Sequence, residues 1–284
     1  MQSELPPLET ELPPEALRVL SRARRLTTPC GDGEMVWHAW GEGEPLVLLH
    51  GGSGSWTHWV RNVDALAAAG RRVLAADLPG CGDSARPPGN QDADGIVPVV
   101  EQGVRLLAGD RPVDFAGFSF GGLVSGLLAS AHPQRVKRLV LMGAPALGLR
   151  DRRPPVANWR DAPDDAAREA AHRKNLSVWM LHRPESIDAY AVALHAANVR
   201  RDRLLKRRLA MTDILAKKLP TLQCPVAAVY GALDGLNVGH IDQLEPRFRL
   251  AAGFRELVMV PGAGHWLQYE EADATNRALL RLLP

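Results

Sequence analysis

The pattern of apolar and polar positions changes character near residue 35. Before it lies a proline-rich, acidic start. There Pro13-Pro14-Glu15-Ala16-Leu17 opens a short helix expected to run to about Arg25, with Leu17 and Leu20 at helical spacing. Beyond it, short apolar runs recur at 35–40, 45–49, 72–77, 113–118, 137–142, 225–230 and 256–260. The run PLVLL at 45–49 has no polar member, which suits a strand covered on both faces, as in parallel sheets. Helical patterns separate the runs at about 57–69, 93–109, 121–132, 239–250 and 270–283. This alternation predicts βαβ units and an α/β fold built on a doubly wound parallel sheet.

One interval breaks the alternation. Residues 146–219 contain no strand candidate and read as helix, over a length no loop of a compact domain has. They are expected to form an inserted lid, or cap. The expected organisation is an N-terminal extension at 1–30, a core at 31–145 and 220–284, and the lid between. At 284 residues and 46% apolar, the chain is long enough to bury a large core. No stretch approaches the roughly 18 apolar residues of a membrane span. The start, MQSELPPLETELPP, lacks the basic and apolar regions of a secretory signal. Three cysteines (Cys30, Cys81, Cys224) without a CxxC pair point to a reduced, cytoplasmic protein with neither disulfide nor zinc site.

The net charge of +2 gives no reason to expect nucleic-acid binding. It conceals an asymmetry. Residues 146–219 hold 16 basic and 9 acidic side chains, net +7, against −5 for the rest. Arg173 and Arg183 are candidates to meet a substrate carboxylate, since guanidinium forks match carboxylates. The other reading is a solvated surface with lid–body ion pairs. The run Arg200, Arg201, Arg203, Lys206, Arg207 and Arg208 is expected to be a wet helix face.

In doubly wound sheets, ligands sit beyond the C-terminal strand ends. After the run at 113–118 stands Gly117-Phe118-Ser119-Phe120-Gly121, a G-x-S-x-G turn between strand and helix. Such a turn presents its serine at a helix head. A serine hydroxyl needs an adjacent base, and His265 follows the last strand. The base needs an acid to orient it, and Asp234 follows the run at 225–230. Asp242 is the reserve, expected inside the next helix. Oxyanion donors are expected from the backbone of Phe120 and of Gly52 or Ser53, in the loop His50-Gly51-Gly52-Ser53-Gly54. That loop lacks the order of a nucleotide-phosphate loop. Phe118, Trp266, Trp179, Trp56 and Trp59 are candidates to line an apolar or aromatic pocket, or to be core. Cys81 is expected to be an inert thiol near the mouth.

Together LLHGGSGSWTHW, AADLPGCGDS, DFAGFSFGG, YGALDG and PGAGHWLQYEEADATNRALLRLL resemble the α/β-hydrolases over about residues 30–284. The order Ser119, Asp234, His265 is theirs. The resemblance implies an eight-stranded sheet, a helical cap between strands six and seven, and a Ser-His-acid triad with no metal or cofactor. The HGG-x-G loop and the GHW-x-Q run are similar to those of meta-cleavage-product C–C hydrolases. Those enzymes usually carry Asn where Phe118 stands. The GFS-x-GG run is similar to that of bacterial esterases and perhydrolases. Related haloalkane dehalogenases and epoxide hydrolases carry Asp where this chain has Ser119.

The expected function is serine hydrolysis of a small carbonyl substrate: an ester, a lactone or the C–C bond of a vinylogous diketone. The substrate is a small molecule, carboxylate-bearing or aromatic, with no nucleic-acid or membrane partner; a homo-oligomer stays open. The competing classes are a lyase, perhydrolase or cofactor-free oxygenase on the same scaffold, and a ligand receptor with a vestigial triad.

Overall fold

The computed structural model describes residues 6–149, 155–204 and 207–284. Its centre is an eight-stranded sheet with strands β1 (Arg24–Cys30), β2 (Gly33–Trp40), β3 (Glu44–Leu49), β4 (Arg71–Ala76), β5 (Val113–Phe118), β6 (Val136–Met142), β7 (Val226–Gly231) and β8 (Phe254–Val260). The spatial order is β1-β2-β4-β3-β5-β6-β7-β8. β2 runs antiparallel to both β1 and β4, and the other pairs are parallel.

Strands β3, β5 and β7 are buried almost end to end, as their uninterrupted apolar runs require when helices cover both faces. Helices α1 (Pro14–Leu20), α2 (Val63–Ala68), α3 (Ala93–Ala108), α4 (Phe120–Ala131), α8 (Ile241–Phe248), α9 (Leu267–Glu270) and α10 (Ala272–Leu282) accompany the sheet. Helices α5 (Asp165–Trp179), α6 (Ala189–Arg200) and α7 (Ile214–Lys218) lie between β6 and β7. Two apolar clusters flank the sheet, one containing Phe115 and Leu123, the other Phe118, Trp56 and Trp266.

The expected N-terminal helix ends at Leu20, short of Arg25, and residues 24–30 form β1 instead. Leu26, Thr28 and Cys30 alternate inward, and Gly31, at φ +59°, turns the chain tightly so that Cys30 pairs with Gly33. The segment 24–30 therefore belongs to the sheet. Pro29 is tolerated because β1 is an edge strand.

The order of strands creates the switch point. From β3 the chain passes to β4 on one side and then crosses to β5 on the other. The loops after β3 and β5 thus diverge around a crevice at the C-terminal edge of the sheet, where doubly wound folds hold ligands.

The opposite edge carries a buried ion pair. Arg71 donates to Asp114 at 2.5 Å and to the carbonyl oxygens of Leu283 and Pro45, while Arg138 forks onto the same carboxylate at 2.8 Å. Removing one partner of a buried pair typically costs about 3–5 kcal/mol. Arg71→Ala should fall at the low end of that range, because Arg138 still faces Asp114. Urea denaturation measures this, and a shift under about 1 kcal/mol would show that Arg138 alone satisfies the site.

Candidate active site

Ser119 sits between the end of β5 and the start of α4 with φ +49° and ψ −116°. A non-glycine residue there carries strain of about 1–3 kcal/mol, stored where the surroundings over-determine the turn. Two glycines do so. A Cβ on Gly117 would lie 2.5 Å from the Gly121 carbonyl oxygen and the Ser125 hydroxyl, and one on Gly121 would fall on the carbonyl oxygens of Leu49 and His50. The Ser119 N–H also donates to the Met142 carbonyl at 2.7 Å. The serine keeps accessible surface while its neighbours are buried.

His265 lies in the loop from β8 to α9, and Asp234 in the turn after β7. The structure brings them to Ser119. His265 Nε2 is 2.9 Å from Ser119 Oγ, and His265 Nδ1 is 2.8 Å from Asp234 Oδ2. The carboxylate can only accept, so Nδ1 carries the proton and Nε2 is free to accept from the serine. Asp234 is wholly buried and also accepts from Leu236 N at 2.9 Å and Asn237 Nδ2 at 2.8 Å. Asp242 lies in the first turn of α8, as expected.

The loop after β3 is fixed by a histidine pair. The Leu78 N–H donates to His50 Nε2 at 2.8 Å, so His50 Nδ1 donates to the Gly51 carbonyl at 2.6 Å. His58 Nδ1 accepts from Gly51 N. Burial pushes His50 down to about 4, and burial together with the neighbouring imidazoles pushes His58 well below the usual histidine range. Both are therefore neutral supports. Trp56 N and Asp83 N donate to the buried Asp77, which tightens the following turn. A Cβ on Gly51 would lie 3.2 Å from that of Ser119, the next two residues, Gly52 and Ser53, keep accessible surface, and Phe120 N begins α4 without an intrahelical acceptor.

Several expected contacts are corrected. Trp56 is fully buried between His38 and Trp40, and Trp59 is fully buried, so both belong to the core. Trp266 is buried, stacks on Tyr269 and donates from Nε1 to the His58 carbonyl, which anchors the His265 loop rather than lining an open pocket. Phe118 is also fully buried, and its ring backs His265 at 5.0 Å. Trp179, half-buried at the end of α5, keeps accessible surface.

Arg173 is engaged by Glu169 and the Ile187 carbonyl, and Arg183 by Glu271 and the Glu270 carbonyl. Each guanidinium thus already has a carboxylate and a carbonyl partner within the protein. The basic run is not a wet helix face either. Helix α6 stops at Arg200, and Arg201 turns inward with 1% exposure onto Asp83 and Glu11. Arg207 pairs with Asp202, and Asp202 accepts from the Ser53 hydroxyl at 2.5 Å. Lys206 lies outside the described residues. Cys81 is buried, and burial pushes its thiol up to about 12, so it is unreactive.

Sequence reasoning missed Glu270. Its buried carboxylate accepts from Gly264 N at 2.7 Å, Arg183 N at 2.6 Å and His182 N at 3.0 Å, joining the His265 loop to the helical segment. The signal was the acidic pair after GHW-x-Q, which reads as an ordinary helix start. Glu270→Gln turns an NH2 group toward those donors. It should cost about 1–3 kcal/mol, the penalty of an unmet buried donor, and loosen His265. Thermal melting and turnover measured together test this; an unchanged pair would show that the N–H groups find other acceptors. Asn237 was also missed, although the Asp-x-x-Asn turn was visible.

The model of the α/β hydrolase fold matches residues 44–272, and the chain belongs to that family. It is 29% identical, over 86% of its length and 89% of the relative's, to a 2-hydroxy-6-oxononadienedioate/2-hydroxy-6-oxononatrienedioate hydrolase of Pseudomonas sp.. A 2-hydroxy-6-oxo-6-phenylhexa-2,4-dienoate hydrolase of Burkholderia cepacia is 27% identical over 86% of this chain and 88% of that one. The fold is shared with Bacillus subtilis carboxylesterase CesB, at TM-score 0.74 and 20% identity, covering 95% of each chain. It is shared also with the meta-cleavage product hydrolase CumD of Pseudomonas fluorescens IP01, at TM-score 0.72 and 22% identity, covering 90% of this chain and 96% of that one. Among the described residues, no helix is long and apolar enough to cross a membrane, and no cluster of three His, Cys, Asp or Glu is placed to hold a metal.

Proposed function

We propose that the chain is a serine hydrolase of small carbonyl compounds, with esters and lactones as its main substrates. One observation carries the reading: the continuous path from Ser119 Oγ through His265 to the buried Asp234, with links of 2.9 and 2.8 Å. His265 takes the serine proton as Ser119 attacks the carbonyl, and Asp234 stabilises the imidazolium. Phe120 N and Gly52 N are the proposed donors to the oxyanion, with Ser53 N as the reserve; one such donor is worth about 3–4 kcal/mol. The leaving group then takes the proton, and water activated by the same histidine releases the acid. The region 146–219 serves as the cap over this site. Three free, buried cysteines suit a reducing cytoplasm.

A second reading is hydrolysis of a C–C bond in a vinylogous diketone, which the names of the relatives favour. The site favours it less. Arg173 and Arg183 are occupied by Glu169 and Glu271, and Phe118 offers no hydrogen bond. Short nitrophenyl esters should be turned over faster than dienedioates, as steady-state kinetics on both sets will measure. The reverse ranking moves the chain to the C–C hydrolases.

A further inference from the structure

Helices α5 and α6 bury polar groups that nothing in the fold satisfies. His172 is 2% exposed, and neither of its ring nitrogens has a hydrogen-bond partner. His195 Nε2 is likewise buried without a partner, although the residue keeps some accessible surface. The two rings meet edge to face at 5.4 Å, and Trp159 packs on His172 at 5.3 Å. Trp179 Nε1, two helical turns beyond His172 on the same face of α5, is also buried and unpartnered. Buried polar groups are normally paired, and one left unmet is costly, so such a cluster needs an explanation.

Its position supplies one. On α6, Asn198 lies one turn beyond His195 and accepts from the hydroxyls of Ser55 and Thr57, just past the Gly52-Ser53 loop. His58 touches Phe118 and Trp266, and its ring lies near enough to the imidazoles of His265 and His195 that they help to hold it neutral. Through Asn198, the helix that carries His195 is tied to the segment following the Gly52-Ser53 loop, on the side of the molecule where the nucleophile stands.

We infer that His195 and His172 form a polar subsite for the part of the substrate remote from the scissile bond, and that it takes a neutral oxygen group, a ketone or hydroxyl, rather than a carboxylate. The inference rests on the hydrolase reading above. A neutral imidazole offers one N–H and one acceptor nitrogen, which matches a carbonyl or hydroxyl. Burial pushes His195 down to about 3 and lowers His172, so neither ring supplies the cation a carboxylate needs. A site built for a polar group also rejects analogues that lack it, because its own groups then stay unpaired.

The test compares three nitrophenyl esters of matched acyl reach: pentanoate, 4-oxopentanoate and the monoester of a four-carbon diacid, in which a carboxylate oxygen stands where the oxo ester has its terminal methyl. The wild-type enzyme should favour the 4-oxo ester over the alkyl ester by at least tenfold in kcat/KM, chiefly through KM. His195→Phe should erase that preference, and His195→Asn, which keeps a side-chain N–H, should restore part of it. Labelling of Ser119 by a fluorophosphonate checks that each variant retains its fold and nucleophile. Equal rates on the oxo and alkyl esters with labelling intact would overturn the subsite and leave the hydrolase reading standing. Preference for the diacid monoester would overturn the neutral class. A wild-type chain that is neither labelled nor active on any ester would overturn the hydrolase reading and the subsite with it.

Discussion

Ser119→Ala should reduce turnover of the best ester by about 10⁶-fold, the scale on which serine hydrolases lose activity with their nucleophile. The residual rate comes from the oxyanion donors and from binding, which survive the change. Alanine keeps the same strained backbone at φ +49°, so melting should move little. Ser119→Gly removes both hydroxyl and strain, and should be inactive yet more stable than Ser119→Ala by about 1 kcal/mol. Asp234→Asn should cost on the order of 10⁴-fold, by placing the proton on the wrong imidazole nitrogen. Single-turnover kinetics with purified variants measures all three. Normal product formation by Ser119→Ala would instead assign the chemistry to His265 and Asp234 alone, as in a lyase or cofactor-free oxygenase.

Acid should begin to destabilise the protein at a pH where carboxylates are still ionised. His50 is fully buried, and burial pushes it from 6.5 down to about 4. Below 6.5 the unfolded chain binds a proton that the native state refuses, so stability falls as pH drops from 6.5 toward 4 and is whole above that window. At about 1.4 kcal/mol per pH unit, His50 alone accounts for roughly 3 kcal/mol at the lower end. His58, lowered further by the same burial and by its neighbours, adds to the loss in the same direction. Urea midpoints collected from pH 7.5 to 4.5 should decline steadily below 6.5, and His50→Gln should make the decline shallower, with His58, His172 and His195 supplying what remains. A level profile would mean that these imidazoles accept protons in place.

Much of this was legible in the chain. The apolar runs located seven strands, because covered strands advertise themselves by lacking polar residues. Strand β1 was hidden, since Arg24–Cys30 is mostly polar, lacks a clean apolar alternation, carries Pro29 and follows a helix start without a break. Ser119, Asp234 and His265 stood out because turn chemistry and strand ends place them. The expected ion pairs between 146–219 and the body are present, as Arg183 meets Glu271, but the basic run at 200–208 was misread as a wet helix face for a physical reason. Helical periodicity says which face a residue takes, but not which distant acid it meets. Arg201 meets Asp83 and Glu11, and no local pattern records that. The unpartnered imidazoles were invisible for the same reason, being defined by what the rest of the fold leaves unmet.

The contacts of Arg201 also bear on the order of assembly. Its guanidinium reaches the Pro6 carbonyl and Glu11 across sequence separations of 195 and 190 residues. Contacts of such range form late, after the loops between them have closed. During synthesis the first strands wait for most of the chain before the strap at residues 6–12 can be fastened. Until then Arg201 is a charge without its counterpart and Ser53 lacks Asp202. The nucleophile's turn can thus form before these contacts are made, and the competence of the newly made protein waits on pairings that span most of the chain, Arg71 to Leu283 and His58 to Trp266 among them.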